Sequence, residues 1–177
     1  DKAIWLVLIV LVVAFIIANP RFINPSNVMT LLRQVAVFGI ASIGMTFVIL
    51  LGDIDLSIGT IMSFVNIICA YMMVNMGMNM VVAVLVSLVA ATAIGVLNGL
   101  MVSTVGIPAI IATFATQTAF NGLALIICGG MPISGFPDGF EIIGQGYIGI
   151  VPIPVIIMII CFAIGSFVLN KTYFGRY

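Results

Sequence analysis

The sequence contains no histidine, and its 177 residues carry only five basic and five acidic side chains. Without histidine there is no Ser-His-Asp triad and no Cys-His pair to activate a nucleophile. No Gly-x-x-x-x-Gly-Lys-Ser/Thr run occurs, and neither Lys2 nor Lys171 follows a glycine, so no loop cradles nucleotide phosphates. Catalytic and cofactor-binding residues are therefore not expected, and any hydrolytic work is assigned to another subunit. Cys69, Cys128 and Cys161 stand apart in apolar surroundings without a Cys-x-x-Cys pair, which reads as packing and not as a metal site. A formal net charge of zero leaves no electrostatic footprint for nucleic acid.

What the chain has instead is apolar surface: 64% of its residues are hydrophobic and 6% are charged. Apolar runs of roughly 20 residues, the length that crosses about 30 Å of hydrocarbon, recur from end to end. The fold expected is all-α, a polytopic transmembrane bundle of about six helices in a lipid bilayer. The runs are Ala3 to Ala18, Val28 to Leu51, Leu56 to Val74, Met80 to Val102, Pro108 to Cys128 and Ile150 to Leu169. A secretory signal peptide is the rival reading of the first run, although no small-x-small cleavage site follows it. Arg21 to Asn27 reads as a loop, with Ser26 or Asn27 placed to cap the second helix. Arg33 and Gln34 fall near the outer end of that helix, where a long side chain reaches the headgroups. Six spans put both ends on one side, and Lys2, Lys171 and Arg176 make that side cytoplasmic, with Arg21 dissenting.

Between Arg33 and Lys171 the only formal charges are Asp53, Asp55, Asp138 and Glu141. An aspartate in mid-bilayer costs roughly 2.5 to 3.5 kcal/mol on insertion scales. Asp53 and Asp55 therefore belong to a helix end, a polar cavity or water. One reading is a cap: Asp55 accepts a backbone N–H from Ser57 or Ile58 where the third helix begins. The other is a broken helix that forms an ion or substrate site at depth.

Polar side chains inside the runs are the remaining candidates. Thr113, Gln117 and Asn121 recur every four residues, a single stripe that either bonds to neighbouring helices or lines a solute path. Asn66 and Asn98 add two further amides. Ser87, Ala91, Gly95, Gly99 and Ser103 give the fourth helix a small-residue face, read as an interhelical seam. The stretch from Gly129 to Gly149 is rich in glycine, holds Pro132 and Pro137, and reads as an external re-entrant or surface segment whose Asp138 and Glu141 need water or partners.

These residues resemble a known family, the permease subunits of ATP-binding-cassette importers for ribose, xylose, arabinose, galactose and similar sugars. Gly52-Asp53-Ile54-Asp55-Leu56-Ser57-Ile58-Gly59 is similar to that family's Gly-Gly-Ile-Asp-Leu-Ser motif. Asn98 to Val102, Gly106 to Thr113, Asn121 to Ala124, Gly129 to Ile133 and Thr172 to Tyr177 resemble further family segments in the same order. Asp53 stands where the family has a second glycine, and Asn121 where it has arginine. The resemblance implies a multi-pass permease domain of the bacterial inner membrane that spans residues 1–177 and continues beyond Tyr177, where the segment that docks the ATPase is expected. It also implies a second permease chain, a cytoplasmic ATP-binding-cassette ATPase and an external sugar-binding protein as partners. Asn66, Asn98, Thr113, Gln117 and Asn121 are the candidate path residues, Asp55 and Ser57 the helix cap, and Asp138 and Glu141 the candidate docking pair. Two alternatives stay open: an ion-coupled secondary transporter using Gly52 to Ser57, and a permease fragment that does not transport by itself. The related permeases for branched-chain amino acids or nucleosides also stay open, though Ile54-Asp55-Leu56-Ser57 favours sugar.

Overall fold

The computed structural model describes residues 2–172, and the expected family segment at the C-terminus lies outside them from Tyr173 onward. Every one of the six apolar runs forms a helix: α1 (Lys2–Ala18), α2 (Pro25–Leu50), α3 (Ile58–Val74), α4 (Met80–Ser103), α5 (Ala109–Cys128) and α7 (Ile153–Lys171). Between the last two lie a short helix α6 (Glu141–Gln145) and a hairpin of β1 (Tyr147–Ile148) with β2 (Val151–Pro152). Four of the helices, α2, α4, α5 and α7, are long and apolar enough to cross a membrane. The apolar helices α1 and α3 have 17 residues each and reach about 26 Å at 1.5 Å per residue. Large apolar side chains such as Trp5, Phe38, Val89 and Ile126 are exposed along their length, as lipid requires and water does not allow.

Helix ends follow local chemistry. Asn24, not Ser26 or Asn27, caps α2: its Oδ1 accepts the Ser26 N–H at 3.1 Å, and Pro25 sits at the first helical position, where its missing N–H costs nothing. Asn79 does the same for α4 through Val81 N–H at 2.9 Å. Gly52, with φ of +85°, turns the chain out of α2 in a conformation that a side chain would strain.

The chain divides into two compact units, one of Ala41–Glu141 and the other of the residues before and after it. In the Ala41–Glu141 unit, α3 packs on α4 and α5. Phe64, Ile94 and Ala124, one from each helix, form a buried cluster, and Phe64 meets Phe120 edge to face at 4.8 Å. A second cluster of Cys69, Met72, Met73 and Ala83 ties α3 to α4. The fourth helix does not pack through the whole small-residue face expected of it. Its buried positions are Ala83, Ser87, Ile94 and Asn98, a helical stripe beside that face. Gly95 and Gly99 consequently look into open space.

In the other unit, Arg33 of α2 meets the aromatic ring that the hairpin carries. Its guanidinium lies over the Tyr147 ring, 4.8 Å from the centroid, and Nη2 donates to the Tyr147 hydroxyl, so the hairpin is fastened to α2. Gly39 of α2 faces Met158 of α7 so closely that a methyl there would collide with the Met158 sulfur.

Candidate functional site

The interruption between α2 and α3 organises the polar groups of the Ala41–Glu141 unit. Residues Gly52 to Ser57 are not helical, so their backbone groups need partners that a bilayer does not supply. Asp55 Oδ1 accepts both the backbone N–H of Ser57 at 2.7 Å and the Ser57 hydroxyl at 2.6 Å. Ser57 Oγ in turn accepts from Asn98 Nδ2 of α4 at 2.9 Å, and Asn98 Oδ1 accepts from Thr116 Oγ1 of α5 at 2.5 Å. Thr113 of α5 accepts the Leu56 N–H at 3.2 Å while donating to its own Ala109 carbonyl at 2.7 Å. One chain of hydrogen bonds thus runs from the break through α4 to α5. Its neutral members are dry: Ser57 is 0% exposed, Thr113 3%, Thr116 4% and Asn98 6%. In so apolar a setting an unmade bond costs the full desolvation of the group, so the network holds the break in one geometry.

Below this network lies a cavity of about 640 Å³, with Asp53, Asp55, Asn98, Gly95, Gly99 and Thr113 among its walls. Asp53 and Asp55 are both half-buried and look into the same space, as two carboxylates two residues apart do when the backbone is extended and not helical. Gly95 and Gly99 contribute bare backbone to its wall, with open space where a side chain would stand.

The candidate path residues do not converge on one point. Asn98 and Thr113 are committed to the break. Gln117 is half-buried, and Asn121 and Asn66 are exposed. Asn66 borders a second recess of about 360 Å³ at the far ends of α3 and α5, with Ala70, Leu125, Cys128, Pro132 and Phe136. Asp138 and Glu141 are exposed on the segment that follows α5. There Phe136 and Phe140 stack at 5.4 Å, and Phe140 packs on the Cys69 cluster, which fixes the segment to the helices beneath. Sequence reasoning missed Thr116. It lies three residues beyond Thr113 and so shares its buried face, a signal that a strict spacing of four overlooks.

No group of three or more cysteine, aspartate or glutamate side chains among the described residues is placed to hold a metal ion.

Long apolar helices, a broken segment bonded into their interior and isolated amides on otherwise apolar faces define a polytopic helical membrane protein. The family described as branched-chain amino acid transport system / permease component matches residues 27–177, and the chain belongs to that family. It is 41% identical over 174 residues to the ribose import permease protein RbsC of Bacillus subtilis, covering 97% of this chain and 54% of that one. The RbsC of Haemophilus influenzae is 36% identical over 181 residues, with 100% of this chain and 56% of that one covered. The xylose/arabinose import permease protein XylH of Sulfolobus acidocaldarius is 34% identical over 159 residues, covering 86% of this chain and 44% of that one. The chain therefore spans about half the length of these relatives. No solved structure matches it.

Proposed function

We propose that this chain is part of one permease domain, in the membrane-spanning subunit of an ATP-binding-cassette importer for a pentose or a similar monosaccharide. The observation that carries the reading is the likeness to ribose import permeases at 36% and 41% identity over nearly the whole chain. The relatives named for xylose and arabinose point to the same class of cargo, small polyhydroxylated rings. Such a cargo needs hydrogen-bonding side chains along an otherwise apolar wall. Asn66, Gln117 and Asn121 are amides of that kind, and none makes a hydrogen bond among the described residues. They would line the path, with Asn98 and Thr113 bordering it where they hold the break.

In this reading the permease itself performs no chemistry. A cytoplasmic ATPase supplies the energy, an external binding protein delivers the sugar beside Asp138 and Glu141, and a second permease chain completes the pore in the plasma membrane. The sequence offers nothing that would favour ion coupling beyond Asp53 and Asp55, and Asp55 is already engaged by Ser57. Complementation tests the assignment: the full-length gene, expressed with its ATPase and binding protein in a strain lacking ribose, xylose and arabinose importers, is expected to restore growth on at least one of these pentoses at low concentration. Failure on all three, with restored uptake of a branched-chain amino acid, would replace the sugar by an amino acid.

A further inference from the structure

The turn between α1 and α2 is a second concentration of polar groups, and transport of a sugar makes no use of it. Asn19, Arg21, Asn24, Ser26, Asn27 and Thr30 border a recess of about 420 Å³. Local bonds decide what these side chains still offer. Asn19 Oδ1 accepts the Arg21 N–H and Asn24 Oδ1 the Ser26 N–H, each at 3.1 Å, so both amide oxygens are used and both NH₂ groups remain as donors. Asn27 Nδ2 is spent on the Phe22 carbonyl at 2.9 Å, and the Thr30 hydroxyl on the Ser26 carbonyl at 3.0 Å. The exposed Arg21 guanidinium makes no ion pair or hydrogen bond among the described residues, and the recess has no acidic side chain. What it presents is therefore one permanent positive charge with amide donors beside it, the chemistry of an oxyanion site.

Position then selects the oxyanion. The turn joins two apolar helices, so it lies where hydrocarbon gives way to headgroups. It is held in shape there, because Phe15 of α1 stacks on Phe22 with centroids 5.7 Å apart, and Asn27 ties Phe22 to α2. At that depth the abundant oxyanion is the phosphodiester of a phospholipid.

We propose that Arg21, with the amide groups of Asn19 and Asn24, binds the phosphate of a phospholipid headgroup and anchors the α1–α2 turn at the membrane surface. This also explains an arginine in the one loop that runs against the positive-inside assignment, since a lipid phosphate neutralises it. The inference stands apart from the identity of the cargo.

The test uses the full-length permease in nanodiscs of phosphatidylglycerol and phosphatidylcholine, with retained lipid counted by native mass spectrometry. Arg21→Gln is expected to lower phosphatidylglycerol retention about fivefold, the share of one arginine near an anionic surface, and Arg21→Lys to keep most of it. Asn24→Asp preserves the helix cap but puts a negative charge in the recess, and is expected to lower retention as well. Millimolar inorganic phosphate is expected to leave retention unchanged. Wild-type retention in both Arg21→Gln and Asn24→Asp would overturn the proposal, and displacement of the lipid by inorganic phosphate would assign the recess to a free anion instead.

Discussion

Asn98 Nδ2 donates to Ser57 Oγ across 2.9 Å, and through that bond α4 grips the residue at which α3 begins. The amide oxygen of Asn98 simultaneously receives the Thr116 hydroxyl, so a single side chain joins three helices.

Replacing Asn98 by Leu removes both bonds and leaves Thr116 with a buried hydroxyl to satisfy. The expected loss is about 1 to 2 kcal/mol of stability, seen as a lower thermal midpoint of the detergent-purified permease. Ser57→Ala should cost less in the Asn98→Leu background than in the wild type, because the bond the two share is lost only once, while the Ser57 bond to Asp55 is lost in either background. Full additivity of the two changes would show that the bond contributes nothing to the fold.

Asp55 is expected to tolerate Asn far better than Ala. An amide oxygen still accepts the Ser57 N–H and hydroxyl, whereas Ala leaves both unmet and costs about 1 kcal/mol, the order of one lost hydrogen bond. Uptake by the intact transporter should follow that order. Complete loss in both variants at normal expression would mean that the negative charge itself is required.

Gln117→Leu is expected to reduce sugar uptake several-fold while leaving the thermal midpoint nearly unchanged, since the amide makes no bond among the described residues that folding would miss. A midpoint that falls in step with uptake would make Gln117 a packing residue.

Charge reversal at Asp138 and Glu141 is expected to weaken stimulation by the binding protein, and more strongly at low ionic strength. Both carboxylates are exposed, and exposed charges are screened over about 8 Å at physiological salt. Stimulation that ignores both reversals at every salt concentration would remove the docking role.

Much of the helical layout was legible in the residues, because run length against bilayer thickness is a constraint that tertiary context cannot relax. Ends were less so. Asn24 outcompeted Ser26 and Asn27 as a cap because Pro25 after it fits the first helical position, a signal present in the Asn-Pro pair itself. The short α6 and the hairpin at Tyr147 were hidden among glycines and prolines, which mark turns without saying where they lead. Arg33 shows the same limit: its aromatic partner, Tyr147, arrives from more than a hundred residues away, and no local pattern pairs the two. At the site, the polar residues other than Thr116 could be named in advance, but not which of them meet. That depends on how α3, α4 and α5 rotate against one another, and neutral amides carry no mark of it.

The most direct test is uptake into proteoliposomes holding the full-length permease, with and without its ATPase. Radiolabelled ribose, xylose and arabinose would each be offered on the binding protein. The account predicts accumulation of at least one pentose that requires the ATPase, ATP and the binding protein together, and that persists when ion gradients are collapsed. Accumulation driven by a proton or sodium gradient in the absence of the ATPase would contradict it.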